Sequence, residues 1–167
     1  MKRLLIFFLF FTLGAAQAAE TEGGEEAKGA SGLPLPRFVS LRASEVNLRT
    51  GPGMRYPIDW VFVRQGLPLE ITAEYDVWRR VRDSEGTEGW VHKTALTGKR
   101  TAIVTGTMRD MRRKDEADSP IVAHVEVGAT GQILSCKAVW CHVRFGDVKG
   151  WLRKTEFWGA YPAEVVD

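Results

Sequence analysis

Val46-Asn47-Leu48-Arg49-Thr50-Gly51-Pro52-Gly53 opens a stretch of short apolar clusters that continues through Gly66-Leu67-Pro68-Leu69, Trp78-Arg79-Arg80-Val81 and Gly86-Thr87-Glu88-Gly89-Trp90-Val91. Alternation in the first cluster sends Val46 and Leu48 to one side and Asn47 and Arg49 to the other, the period of a strand with one buried face. Gly51-Pro52-Gly53 supplies a chain reversal, since glycine tolerates backbone angles closed to other residues and proline fixes its own. In Gly89-Trp90, glycine lets a strand pass close over its neighbour while tryptophan offers a large apolar face.

Working outward, the landmarks Arg49, Pro57, Gly66, Trp78 and Gly89-Trp90 return as Arg112, Pro120, Gly128, Trp140 and Gly150-Trp151, at spacings of 63, 63, 62, 62 and 61 residues. A nearly constant spacing that drifts by one residue at a time is a tandem duplication with short loop deletions. Each copy reads as about five short strands rich in β-branched and aromatic residues, punctuated by Gly, Pro, Asp and Ser. Sustained helical periodicity is missing, and only Lys93-Thr94-Ala95-Leu96 and Lys154-Thr155-Glu156-Phe157 suggest a tight helical turn. Roughly 60 residues of short strands bury one face by curling into a small barrel. The fold class is therefore all-β, with two tandem barrels over 37–104 and 105–167. Thr101-Ala102-Ile103-Val104-Thr105 is expected to close the first barrel and lead into the second. A junction this short implies close packing of the two, and the sequence leaves two placements open for Trp158, Tyr161 and Pro162: over the joint, or in a free, frayed terminus.

These motifs resemble the bacterial SH3-like domain. The first copy carries the Asn47-Leu48-Arg49-Thr50-Gly51-Pro52-Gly53 signature. The second keeps Trp140-Cys141-His142-Val143 and Gly150-Trp151-Leu152 but has Asp110-Met111-Arg112-Arg113-Lys114-Asp115-Glu116 in its place, as a divergent copy would. The resemblance implies a noncatalytic module that docks to a cell-wall or envelope component, plausibly the peptide stems of peptidoglycan. A periplasmic protein-interaction adaptor without a small ligand is the alternative.

Ahead of the repeats, Met1-Lys2-Arg3, an uncharged apolar run from Leu4 to Ala16, and Ala16-Gln17-Ala18 read as a secretory signal peptide over 1–18. The run is too short to span a bilayer, which takes about 20 residues, so no membrane insertion is expected after cleavage. Removing Lys2 and Arg3 leaves 21 basic against 21 acidic residues. That balance disfavours nucleic acid and anionic membranes as partners, both of which attract surplus cations, although a local basic patch stays open. Residues 19–36 read as a flexible linker, acidic over Glu20 to Gly32 and ending in Leu33-Pro34-Leu35-Pro36. An exported, periplasmic or envelope location follows.

Cys136 and Cys141 flank a four-residue hairpin turn, and in an oxidising compartment they read as a disulfide. A metal site lacks a second ligand pair, and a redox pair prefers Cys-x-x-Cys. The closed loop is short, so the chain-entropy gain is only about 2 kcal/mol. Glu74 and Arg79 occupy the matching positions of the first copy and are expected to pair across its hairpin.

No catalytic residue, cofactor or metal is expected. Cys141-His142 cannot act as a dyad, because adjacent strand residues point to opposite faces; His92 and His124 read as surface histidines, and the carboxylate pairs fall in turns. Trp78 and Trp90 read as core. Arg49, Tyr56, Asp59, Trp60 and Tyr75 are the candidate ligand groove, an aromatic platform with few charges suited to peptides or sugar rings. The eroded signature of the second copy suggests one binding barrel and one supporting barrel.

Overall fold

The computed structural model describes residues 28–167; the expected signal peptide over 1–18 and residues 19–27 of the expected linker lie outside the described residues. The first sheet contains β1 (Arg37–Leu41), β2 (Val46–Arg49), β3 (Ile58–Phe62), β4 (Pro68–Tyr75), β5 (Trp78–Arg82), β6 (Glu88–His92) and β7 (Leu96–Thr97). The second contains β8 (Thr101–Val104), β9 (Arg109–Arg112), β10 (Ile121–Val125), β11 (Thr130–Cys136), β12 (Trp140–Phe145), β13 (Val148–Arg153) and β14 (Phe157–Trp158). Strand order is β3-β2-β6-β5-β4-β1-β7 in the first and β10-β9-β13-β12-β11-β8-β14 in the second, so the duplication seen in sequence is a duplication of topology. The two expected helical turns are single 3₁₀ turns, Lys93–Ala95 and Lys154–Glu156. No helix among the described residues is long and apolar enough to cross a membrane.

Each sheet curls because all of its strands feed one core. Val39 and Leu41 from β1, Val46 and Leu48 from β2, Phe62, Leu69, Ile71, Val81, Val91 and Leu96 meet in the first barrel. Ala102, Val104, Met111, Val125, Ile133, Val143, Leu152 and Phe157 do so in the second, together with Cys136 and Cys141. Val46 and Leu48 are buried and Asn47 exposed, as the alternation requires. A Cβ on Gly89 would lie 2.6 Å from the Leu48 side chain and 2.9 Å from the Arg49 carbonyl; on Gly150, 2.6 Å from Met111 and 2.7 Å from the Arg112 carbonyl. Glycine is what lets β6 cross β2, and β13 cross β9, closely enough to shut each barrel.

Three expectations need correction. Thr101–Val104 does not close the first barrel: as β8 it pairs with β11 and β14 and opens the second, the equivalent of β1. Trp90 is not a core residue, whereas Trp78 is buried as expected, 7% exposed, though outside the central cluster of the barrel. The inward positions of β5 and β6 are taken by Val81 and Val91, so alternation turns both tryptophans to the outer face, where Trp78 pairs with His92 and Trp90 with Arg80. The linker's last residues are docked. Lys28 bridges to Pro34, and Ser31 donates its N–H (2.7 Å) and hydroxyl (2.8 Å) to the Glu74 carboxylate.

Matching hairpin ends are fastened differently. Cys136 and Cys141 face each other across β11–β12 and are disulfide-bonded; Glu74 faces Arg79 across β4–β5 at 3.2 Å and also binds Arg37 at 2.5 Å. Burial opposes the charge on Glu74, but the hydrogen bonds from Arg37 and Ser31 outweigh it and hold the carboxyl at about 2.

The barrels pack through Phe38, which meets Trp158 edge-on at 4.8 Å and Tyr161 at 4.6 Å, while the Tyr161 hydroxyl donates to Glu70 at 2.8 Å. Burial and that carboxylate push Tyr161 well above the usual phenol range, so it stays a donor. Arg100 lies over the Phe38 ring and pairs with Glu164. The joint is covered by Trp158 and Tyr161, the first of the two placements that the sequence left open.

Two outcomes follow. Gly89→Val lowers stability by about 2–4 kcal/mol in chemical denaturation, since the added atoms meet backbone. Glu74 has a folded value below its ordinary 4.5, so its contribution is complete above that pH and is lost as pH falls from about 4.5 to about 2. That loss amounts to up to about 3 kcal/mol, and Glu74→Gln removes this part of the acid sensitivity in denaturation curves taken across the window.

Candidate functional site

The loop after β2 sets the site. Arg49 Nη1 donates to the carbonyls of Tyr56 (2.7 Å) and Met54 (3.3 Å), and the Thr50 N–H donates to the Pro57 carbonyl at 3.1 Å. Gly51 leaves room for the Tyr56 ring, which occupies the space a Cβ would take. Arg55 lies 5.1 Å over that ring and donates to the Tyr56 hydroxyl. This hydrogen bond and the field of Tyr56 hold the Arg55 guanidinium above the usual arginine value. The second barrel repeats the clasp, with Arg112 Nη1 donating to the Ser119 carbonyl at 2.8 Å and the Arg113 N–H to Pro120 at 2.9 Å.

Beside the clasp lies a shallow depression of about 370 Å³, lined by Glu45, Asn47, Arg49, Met54, Trp78 and His92 among others. Its floor is the outer face of β2 and the start of β5. Trp78 meets His92 edge-on at 5.5 Å, and His92 Nδ1 is 2.7 Å from the Thr94 hydroxyl. Tyr75, 62% exposed, stands opposite Trp78 across the hairpin and so shares its face. Met54 projects from the loop, 74% exposed. The arrangement offers an aromatic wall, a side-chain amide, an imidazole and a carboxylate around an open slot, a setting for a short extended polar ligand. Among the described residues no cluster of three or more His, Cys, Asp or Glu is placed to hold a metal ion.

Of the residues singled out in sequence, Arg49 lines the depression and Tyr56 and Tyr75 flank it. Arg49 spends Nη1 on the loop, so its first role is to shape the site. Asp59 and Trp60 do not line it. They sit on β3, the edge strand, where Trp60 faces Leu48 on the side of β2 opposite Asn47, and a bulge leaves Asp59 without a partner in the ladder. Trp60 is 56% exposed there. Glu45, Asn47, Met54 and His92 were not anticipated. Asn47 carried a signal, as the polar partner of Arg49 in the alternation; His92 joins only through the β5–β6 register.

The family model described as "Bacterial SH3 domain" matches residues 42–98 and again 106–159. A Bacillus subtilis protein named "Putative N-acetylmuramoyl-L-alanine amidase YrvJ" is 23% identical over 138 residues, covering 71% of this chain and 26% of that protein; the chain thus spans about a quarter of that relative. Among solved structures, NlpC2 from Trichomonas vaginalis aligns over 75% of this chain and 49% of its own, at 11% identity and a TM-score of 0.35. An NlpC/P60 family protein from Bacillus cereus aligns over 74% and 57%, at 14% identity and a TM-score of 0.34.

Arg49→Met is expected to free the 50–57 loop, raising amide hydrogen exchange at Thr50 and lowering stability by about 1–3 kcal/mol, with a similar cost for Arg112→Met in the second barrel.

Proposed function

The chain belongs to the bacterial SH3 domain family, with two copies in tandem, and on that premise we propose that it is an exported, noncatalytic module that docks to the cell envelope by recognising the peptide stems of peptidoglycan. The observation that carries this reading is the depression on the first barrel. An extended peptide laid between the 50–57 loop and the β4–β5 hairpin meets Trp78 and Tyr75 with its apolar parts, and Asn47, His92 and Glu45 with its amide, carboxylate and amino groups. The disulfide agrees with an oxidising compartment, and the relative named as an amidase of N-acetylmuramoyl-L-alanine agrees with the wall as target.

A protein-interaction adaptor is the second reading, and one feature favours it. Edge strand β3 exposes Ile58, Trp60 and Val61 along an unpaired ladder edge, where a partner strand could add. Asp59 and Trp60 belong to that reading rather than to the depression.

Retention of residues 19–167 on purified insoluble peptidoglycan separates the two. Met54→Ala/Tyr75→Ala, both highly exposed and harmless to the core, is expected to weaken retention about tenfold or more, and Trp60→Ala to leave it unchanged. Retention lost with Trp60→Ala alone, or no retention of the folded wild type, would refute the groove and favour the adaptor.

A further inference from the structure

The outer faces of the two barrels have opposite electrostatic design. In the first, β5 carries Arg80 and Arg82 outward, and each has an acid: Glu88 at 2.6 Å from Arg80, and Glu70 at 2.5 Å from Arg82. In the second, the register is the same but the acids are gone. Gln132 stands opposite Arg144 where Glu70 stands opposite Arg82, and Lys149 stands opposite Arg144 where Glu88 stands opposite Arg82. His92 is replaced by Arg153, opposite Trp140, and Tyr75 at the hairpin end by Lys137.

The cations that result are ordered and open to solvent. Arg153 lies 5.0 Å over the Trp140 ring and Lys137 4.9 Å over Trp151, which His142 stacks against at 5.0 Å. Arg144, Lys149, Arg153 and Lys137 are all exposed. Lys137 is neutralised by Asp115 at 2.7 Å, and the Glu156 carboxylate accepts from the Arg153 backbone N–H at 2.8 Å, while Asp110 is taken by His124 at 2.8 Å. A chain balanced overall thus places three cations that form no salt bridge among the described residues, Arg144, Lys149 and Arg153, on one sheet face, in a stripe extending about 14 Å along β13 from Lys149 to Arg153 at the ordinary strand rise.

We propose that this face of the second barrel is a separate binding site for an anionic glycan, a sugar polymer bearing carboxylate or phosphate groups. Charge complementarity selects the anion. The sugar is selected by a hollow of about 360 Å³ at the Arg153 end, walled by Val139, Trp140 and Pro162 with the exposed Arg153 alongside, while the Lys154 ammonium is spent on backbone carbonyls. An apolar wall with a cationic rim fits a ring that carries an acid, and the stripe beyond it, through Lys149 and Arg144, accepts the acids of following units. A polymer with only charge and no ring leaves the hollow empty. The inference stands on the second barrel alone and does not depend on the first-barrel groove.

The test restores the first barrel's acids to the second. Residues 19–167, wild type and Gln132→Glu/Lys149→Glu, are titrated with polygalacturonate as the carboxylate glycan, phosphorylated dextran as the phosphate glycan, neutral dextran, and poly-L-glutamate of matched length. Both substitutions lie outside the core, and unchanged thermal unfolding verifies the fold. The expected result is salt-sensitive binding of at least one anionic glycan, at least tenfold weaker in the double variant, intact in Met54→Ala/Tyr75→Ala, and absent with neutral dextran. Which of the two anionic glycans binds identifies the acid. Failure to bind either, equal binding by the double variant, or poly-L-glutamate bound as tightly as the glycans would overturn the proposal.

Discussion

The close crossing of β6 over β2 at Gly89, repeated where β13 crosses β9 at Gly150, is the contact on which the rest of each barrel depends. No side chain fits between these strands, so the sheet closes on its core and Val91 or Leu152 reaches the interior. The next residue is turned outward by the same crossing, and Trp90 comes to lie opposite Arg49 and Trp151 opposite Arg112. Each arginine sits at the crossing and reaches from there to the carbonyls of its own loop. Barrel closure and loop shape are thus two consequences of one glycine.

From that shared frame the copies diverge at the surface and at the margins of the core. Val46 has Arg109 as its counterpart, a half-buried side chain that donates to the Thr105 carbonyl, so the second barrel gives up an apolar contact. The covalent Cys136–Cys141 link stands in it where the first barrel has the Glu74 cluster. Lys154 donates to the carbonyls of Ala138, Pro162 and Glu164 and ties the C-terminal segment to the disulfide hairpin. That segment carries Tyr161 and Glu164 to the joint with the first barrel. The stapled hairpin therefore supports the interface as well as its own core.

What was legible in sequence was local or repeated. Strand alternation at Val46–Arg49, the glycine of Gly89-Trp90 and the facing positions 74/79 and 136/141 all follow from short-range geometry. Partner choice did not. Thr101–Val104 has the pattern of a strand for either barrel, and only its register with β11, some 30 residues on, assigns it. Trp78 is buried as its apolar bulk suggested, but Trp90 is only half-buried, because the smaller Val91 beside it holds the inward position. The candidate site was half visible. Arg49 lines the depression and Tyr75 shares the face of Trp78 beside it, but Asp59 and Trp60 belong to edge strand β3, a placement set by long-range sheet order. Ser31 was read as linker because its hydrogen bonds run to Glu74, 43 residues away.

The central claim, that the wall peptide is read by the outer face of the first barrel and not by its edge, is tested most directly by indole resonances. The mature chain, labelled with ¹⁵N at tryptophan, is titrated with a soluble peptide-stem fragment of peptidoglycan. The account predicts that the Trp78 signal moves furthest, while Trp60, Trp140 and Trp151 hold still. Movement of Trp60 with Trp78 unmoved, or no movement of any indole at saturating fragment, would contradict it.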